Sequence, residues 1–306
     1  MTDLPSSAPP EPQATPARLP LFRRMHVVPF VVFVLAAVFF LYQIVAGGAS
    51  LLLAGGTITA DTVQWIRWST LFGQLLFILV PTLVFTRLRY GTIQQPLRLR
   101  MPTLTQALVV LVGVFALQQV LQGYMLLQDS IPLPPGIQRW VDMIQDMFEA
   151  TYRILVTAKS PLELLLVIFT VAVVPAVSEE VLFRGLVQRD LESITSGTRS
   201  AIIAGVLFAF YHLNPFSLIP LVTLGIVFGL IVYRSGNLAL AMLAHFLNNF
   251  LASIALYFNI DEDFMMTAPE GGATMEAAVL NTAVFALVFV GAMYYFVRIT
   301  RTSHAA

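Results

Sequence analysis

Three groups of polar residues interrupt otherwise apolar stretches of this chain. Glu179 and Glu180 are adjacent, and Arg184 follows Glu180 by four residues, just after the apolar run Leu162 to Val177. Phe208 stands four residues before His212, and His245 four before Asn249. An ionisable side chain in a membrane segment is costly and is read first as functional, with a partner to be named. Neighbours on an α-helix are rotated by about 100°, so the two glutamates point in different directions. Glu180 shares a face with Arg184, and that pair can neutralise itself in a low dielectric. Glu179 is left to face another group.

A carboxylate in a poorly solvated place is a better proton acceptor near neutral pH. With a histidine beside it, it can take a proton from water. His245 and Asn249, one helical turn apart, can converge as donors on a developing oxyanion. These are the parts of a water-activating hydrolase for amides. The plainer readings are glutamates at the membrane surface near Arg189, and buried histidines held by hydrogen bonds. Asn248 faces away from Asn249 on the helix and reads as packing or interhelical hydrogen bonding. Ser178 has no Gly-x-Ser-x-Gly setting, and no His-Glu-x-x-His is present. A divalent metal held by Glu179, His212 and His245 is an arrangement the donors permit but the spacing does not favour, and no cofactor is implied. The histidines lie on different segments, so the pocket they would share requires tilted helices. It is expected beneath the inner headgroups.

The elements that must position these residues are membrane helices. Of 306 residues, 58% are hydrophobic and 11% charged, against about 25% charged in a soluble domain. Net charge is zero and no cysteine is present, so bulk charge points to no nucleic-acid partner and thiol chemistry is excluded. Eight apolar segments are expected as spans: Val27 to Ala46, Leu71 to Phe85, Leu104 to Leu127, Leu162 to Val177, Ala201 to Tyr211, Ser217 to Tyr233, Leu238 to Phe258 and Ala277 to Val297. The first is too long for the core of a signal peptide. Between the third and fourth, Ile137, Trp140, Val141, Ile144 and Phe148 share a helical face opposite Arg139, Asp142, Gln145, Asp146 and Glu149, which predicts an interfacial amphipathic helix. The expected class is an all-α polytopic membrane bundle. Its parts are a disordered cytoplasmic tail (1–24), N-terminal spans with the interfacial helix (25–160), a core (161–258), and an acidic outer loop with the last span and a short tail (259–306).

Arginine distribution sets the orientation, because Lys and Arg concentrate in cytoplasmic loops. With both termini inside, the inner segments hold Arg18, Arg23, Arg24, Arg87, Arg89, Arg98, Arg100, Arg189, Arg199, Arg234, Arg298 and Arg301. The outer ones hold only Arg67, Arg139, Arg153 and Lys159, with Asp261, Glu262, Asp263, Glu270 and Glu276. Trp65, Trp68 and Trp140 fall at outer boundaries, as interfacial tryptophan does.

The three motifs, Glu179-Glu180-x-x-x-Arg184, Phe208-x-x-x-His212 and His245-x-x-x-Asn249, occur in order on successive apolar segments. In this the chain resembles the CPBP family: type II CAAX prenyl endopeptidases and the related bacteriocin-processing or bacteriocin-immunity proteins. The likeness covers about residues 162–258. It implies an intramembrane glutamate-dependent endopeptidase in which Glu179 and His212 activate water, His245 and Asn249 form the oxyanion hole, and Glu180, Arg184 and Phe208 support them. Eukaryotic members remove the last three residues of prenylated proteins. The proline-rich tail and lack of targeting signals point instead to a bacterial inner membrane, with a peptide precursor or membrane-protein segment as substrate and the lipid bilayer as partner. The alternative is a non-proteolytic scaffold or immunity protein using the same cavity. A proton-coupled transporter would want inverted repeats, and none is found.

Overall fold

The computed structural model describes residues 20–56, 59, 61–258 and 275–300. The proline-rich tail to residue 19, the acidic stretch 259–274 and the last six residues lie outside the described residues. Seven helices are long and apolar enough to cross a membrane, and the remaining apolar segment forms a shorter one. The spanning helices are α1 (Val27–Leu53), α2 (Val63–Tyr90), α3 (Leu104–Asp129), α5 (Pro161–Leu191), α7 (Leu218–Ser235), α8 (Leu238–Tyr257) and α9 (Met275–Ile299). The short one is α6 (Gly197–Tyr211) and the amphipathic one α4 (Pro135–Val156). The protein is a multi-pass helical membrane bundle. Outward-facing Leu52, Leu162 and Leu287 are 80%, 78% and 74% exposed, as lipid-facing leucines must be.

Local signals set the helix ends. Ser160 accepts from the Glu163 N–H ahead of Pro161, which opens α5. Ser196 does the same for α6 through Arg199 N–H. Thr103 and Gln106 form a reciprocal capping box at α3. Gly91 and Gly236 end α2 and α7 in the left-handed conformation, at φ 78° and 61°.

Helix α5 is central. Its Val181 joins the core built on Val114, Phe228 and Leu238. Leu182, Phe183 and Leu186 join a second core with Phe30, Val34 and Ile78. Helices α6 and α7 meet backbone to backbone: a Cβ on Gly225 would lie 2.7 Å from the Gly205 carbonyl oxygen. Glycine on both helices is what permits this approach.

The two ends of the bundle are tied separately. At one, Arg89 pairs with Asp190 at 2.9 Å, Arg98 pairs with Glu192, and Leu238 N–H donates to Arg98 O. Arg89 also bonds the carbonyls of Phe22 and Met25, fixing a turn just before α1. At the other, Arg67 is buried and donates to the carbonyls of Leu155 and Thr157 at the end of α4. Gln128 donates to Phe216 O, and Phe148 of α4 packs edge-on against Phe216.

Helix α4 is wedged between two environments. Ile137, Trp140, Met143 and Met147 are 55%, 64%, 56% and 60% exposed on one flank, while Asp142, Asp146 and Glu149 occupy the other. It is apolar on one side and charged on the other, as the period of its residues predicts.

Candidate active site

Helix α5 is not a plain α-helix where it carries the glutamates. It widens to π geometry over Phe169–Val173 and again over Val181–Gln188, and such widening has identifiable local causes. One is Pro175, which has no N–H to give the carbonyl four residues back. That carbonyl, on Val171, accepts from Asn249 Nδ2 at 2.9 Å, and the next one, on Thr170, from Gln74 Nε2 at 3.2 Å. Side chains of α8 and α2 thus satisfy backbone oxygens that would otherwise be orphaned in the membrane interior.

Glu180 is fully buried, and its Oε1 accepts from Arg184 Nη1 at 2.7 Å and from His245 Nδ1 at 2.9 Å. Arg184 Nη2 donates to Gly225 O at 2.8 Å, and one turn on Gln188 Nε2 donates to Gly229 O at 3.0 Å. The glycines admit both side chains to the α7 backbone. The Arg184 guanidinium lies 4.7 Å from the Phe208 ring centroid and 5.5 Å from that of Phe228. Phe228 stacks on His245 with centroids 5.5 Å apart. His245 is therefore held by Glu180 on one nitrogen and by aromatic rings on its faces.

Glu179 points elsewhere, as the helical rotation requires. Its Oε2 is buried with no hydrogen-bond partner and lies 3.8 Å from His212 Nε2. His212 stands just past the end of α6, its Nδ1 2.8 Å from Phe208 O and its ring 4.5 Å from that of Phe208. The chain turns sharply after it. Leu213 takes a left-handed φ of 53°, and Asn214 Oδ1 accepts from the N–H groups of Phe216 and Ser217. This is an Asx-type turn before Pro215 can be accommodated.

Glu179, His212, His245 and Asn249 all border one cavity of about 320 Å³, with Phe208 and Phe228 in its wall. It runs from Glu179 toward Tyr152 and Leu155 of α4, past Thr70, Thr170 and Leu221. The reason is α6, whose 15 residues span only about 22 Å against a ~30 Å hydrocarbon core; its missing turns leave the space. Asn248 also borders the cavity and donates to Asn249 Oδ1 at 3.1 Å, so it does not face away as its helical position suggested. Ser178 spends its hydroxyl on Val174 O. Among the described residues no three carboxylates and histidines gather as metal ligands. Tyr42 and Gln74, which no spacing singled out, line the cavity from α1 and α2.

The arrangement offers two unpaired acceptors facing each other, and a separate pair of potential donors across the same space. No curated protein and no solved structure matches the chain. The stretch that holds every one of these motif residues, 161–251, matches the family model of the type II CAAX prenyl endopeptidases, Rce1-like, and in that stretch the chain is similar to a family of membrane proteases.

Proposed function

We propose that the protein is an intramembrane endopeptidase that cleaves a peptide precursor or a membrane-protein segment with water activated by Glu179 and His212. The observation that carries this is the facing pair itself: Glu179 Oε2 has no partner and lies 3.8 Å from His212 Nε2. With its Nδ1–H given to Phe208 O, a neutral His212 presents a lone pair at Nε2. A water between two acceptors turns both hydrogens toward them and its oxygen lone pairs toward the substrate carbonyl. Glu179 takes one proton as the C–O bond forms and delivers it to the leaving amine.

The oxyanion would meet His245 and Asn249. With Nδ1–H committed to Glu180, His245 donates from Nε2 only as an imidazolium. Arg184 balances the buried Glu180 carboxylate that holds Nδ1. Asn249 uses one amide hydrogen on Val171 O and has a second to offer. The protein would lie in a bacterial inner membrane with both termini cytoplasmic.

The test is turnover by the purified protein in liposomes, alongside a comparison of peptide termini in membranes containing wild type or Glu179→Gln. New termini that depend on Glu179 support the reading. Identical termini in both membranes, with folded protein in each, leave only a binding role.

A further inference from the structure

The cavity has a sealed end and an open end, and the two differ in charge. Beyond Glu179 every residue of Val181–Gln188 is buried, and the separate cavity of about 620 Å³ around Arg89, Asp190 and Ser193 shares no lining residue with this one. Glu180 and Gln188 are 0% exposed, Arg184 2% and Asp190 3%. A Cβ on Gly185 would already meet Leu97 at 2.6 Å. The Arg89–Asp190 and Arg98–Glu192 pairs then close the bundle behind this plug. In the opposite direction the walls lead to α4, whose Tyr152 is 45% exposed, and the His212 side chain is itself 32% exposed.

The sealed end is also the arginine-rich one. Arg87, Arg89, Arg98, Arg100, Arg189, Arg199 and Arg234 all belong to helix ends or loops joined there. At the open end Arg67 is consumed by α4 carbonyls and Glu163, and Arg153 pairs with Glu149 on the same helix. Asp142 and Asp146 offset what remains. Lys and Arg gather on the cytoplasmic side of membrane proteins.

We infer that the catalytic cavity opens to the non-cytoplasmic face of the membrane, so that the substrates are segments presented there: extracytoplasmic juxtamembrane stretches of membrane proteins, or peptides on their way out. What is cut rests on the peptidase reading above; which side is open does not. Helix α4, amphipathic and with Trp140 and Met147 exposed, would put the rim at headgroup level. Glu179 lies well below it, so the substrate segment enters as extended chain, at about 3.3 Å per residue, since a helix of about 10 Å diameter would not fit beside the cavity walls. A C-terminus made and modified in the cytoplasm would meet the plug.

The chain has no cysteine, so single-cysteine variants report position directly. Tyr152→Cys and Asp146→Cys mark α4, Thr70→Cys the cavity wall, and Arg199→Cys and Ser193→Cys the sealed end. Each is treated with a membrane-impermeant thiol reagent in intact cells and again after permeabilisation, and each is checked for monodispersity in detergent. The α4 and Thr70 positions should label in intact cells, and the sealed-end positions only after permeabilisation. Label at Arg199→Cys or Ser193→Cys in intact cells overturns the orientation. Thr70→Cys that stays unlabelled while α4 labels overturns the open mouth. Neither outcome depends on catalysis, so an inactive protein would fail the Glu179 test and still answer this one.

Discussion

His245 Nδ1 donates to Glu180 Oε1 at 2.9 Å, which joins the second glutamate of the adjacent pair on α5 to the first polar residue of α8. The same oxygen holds Arg184. Glu180 thus acts on the site through another residue, and its removal has two separable effects. Glu180→Ala leaves Arg184 buried and uncompensated, which costs about 3–5 kcal/mol, read as a lower unfolding midpoint in detergent. Glu180→Gln keeps the shape and loses the charge. Its expected signature is a drop in kcat with little change in KM, because the change reaches the reacting groups only through the His245 Nδ1 contact.

Glu179→Gln should leave stability unchanged or improved, since Oε2 has no partner to lose. Turnover should fall by about 10²–10⁴-fold, the usual worth of a general base. Parallel thermal melts and peptide cleavage measure both. Loss of fold together with loss of activity would make Glu179 structural.

Pro175→Ala restores an N–H able to reach Val171 O in competition with Asn249. The helix should gain up to about 3 kcal/mol while activity falls, because narrowing the bulge rotates Glu179 away from His212. Raised stability with unimpaired turnover would separate the bulge from the chemistry.

Gly225→Ala drives a methyl into the Gly205 backbone, at 2.7 Å from its oxygen. Overpacking of this kind costs about 1–3 kcal/mol. It should also push α7 from Arg184, whose Nη2 bonds Gly225 O, so activity should fall further than stability. Gly291→Ala, where a Cβ meets nothing, is the neutral control.

Much of this was legible in the residues. Apolar run lengths located the long spans, and four-residue spacings put Glu180 with Arg184 and set Glu179 apart. The period in 137–148 gave α4 its two flanks. What escaped has a common cause: backbone oxygens carry no letter in the sequence. Gln74, Gln188 and Arg67 act on carbonyls of Thr170, Gly229 and Leu155, contacts that exist only once the helices are packed. Helix position also misled about Asn248, because the widened α5 and the cavity bring both asparagines to one space. The length of α6 was readable as short, but not the consequence that the cavity would open at that end.

Leu213 follows His212 with a positive φ of 53°, a conformation that costs a residue with a Cβ about 1–2 kcal/mol. The chain cannot swing there without carrying a branched side chain across a forbidden region, so the imidazole before it has a narrow angular tolerance. A leucine that is not in the cavity wall would then set how accurately a proton is aimed, and glycine at that position would ease the backbone while letting the aim drift.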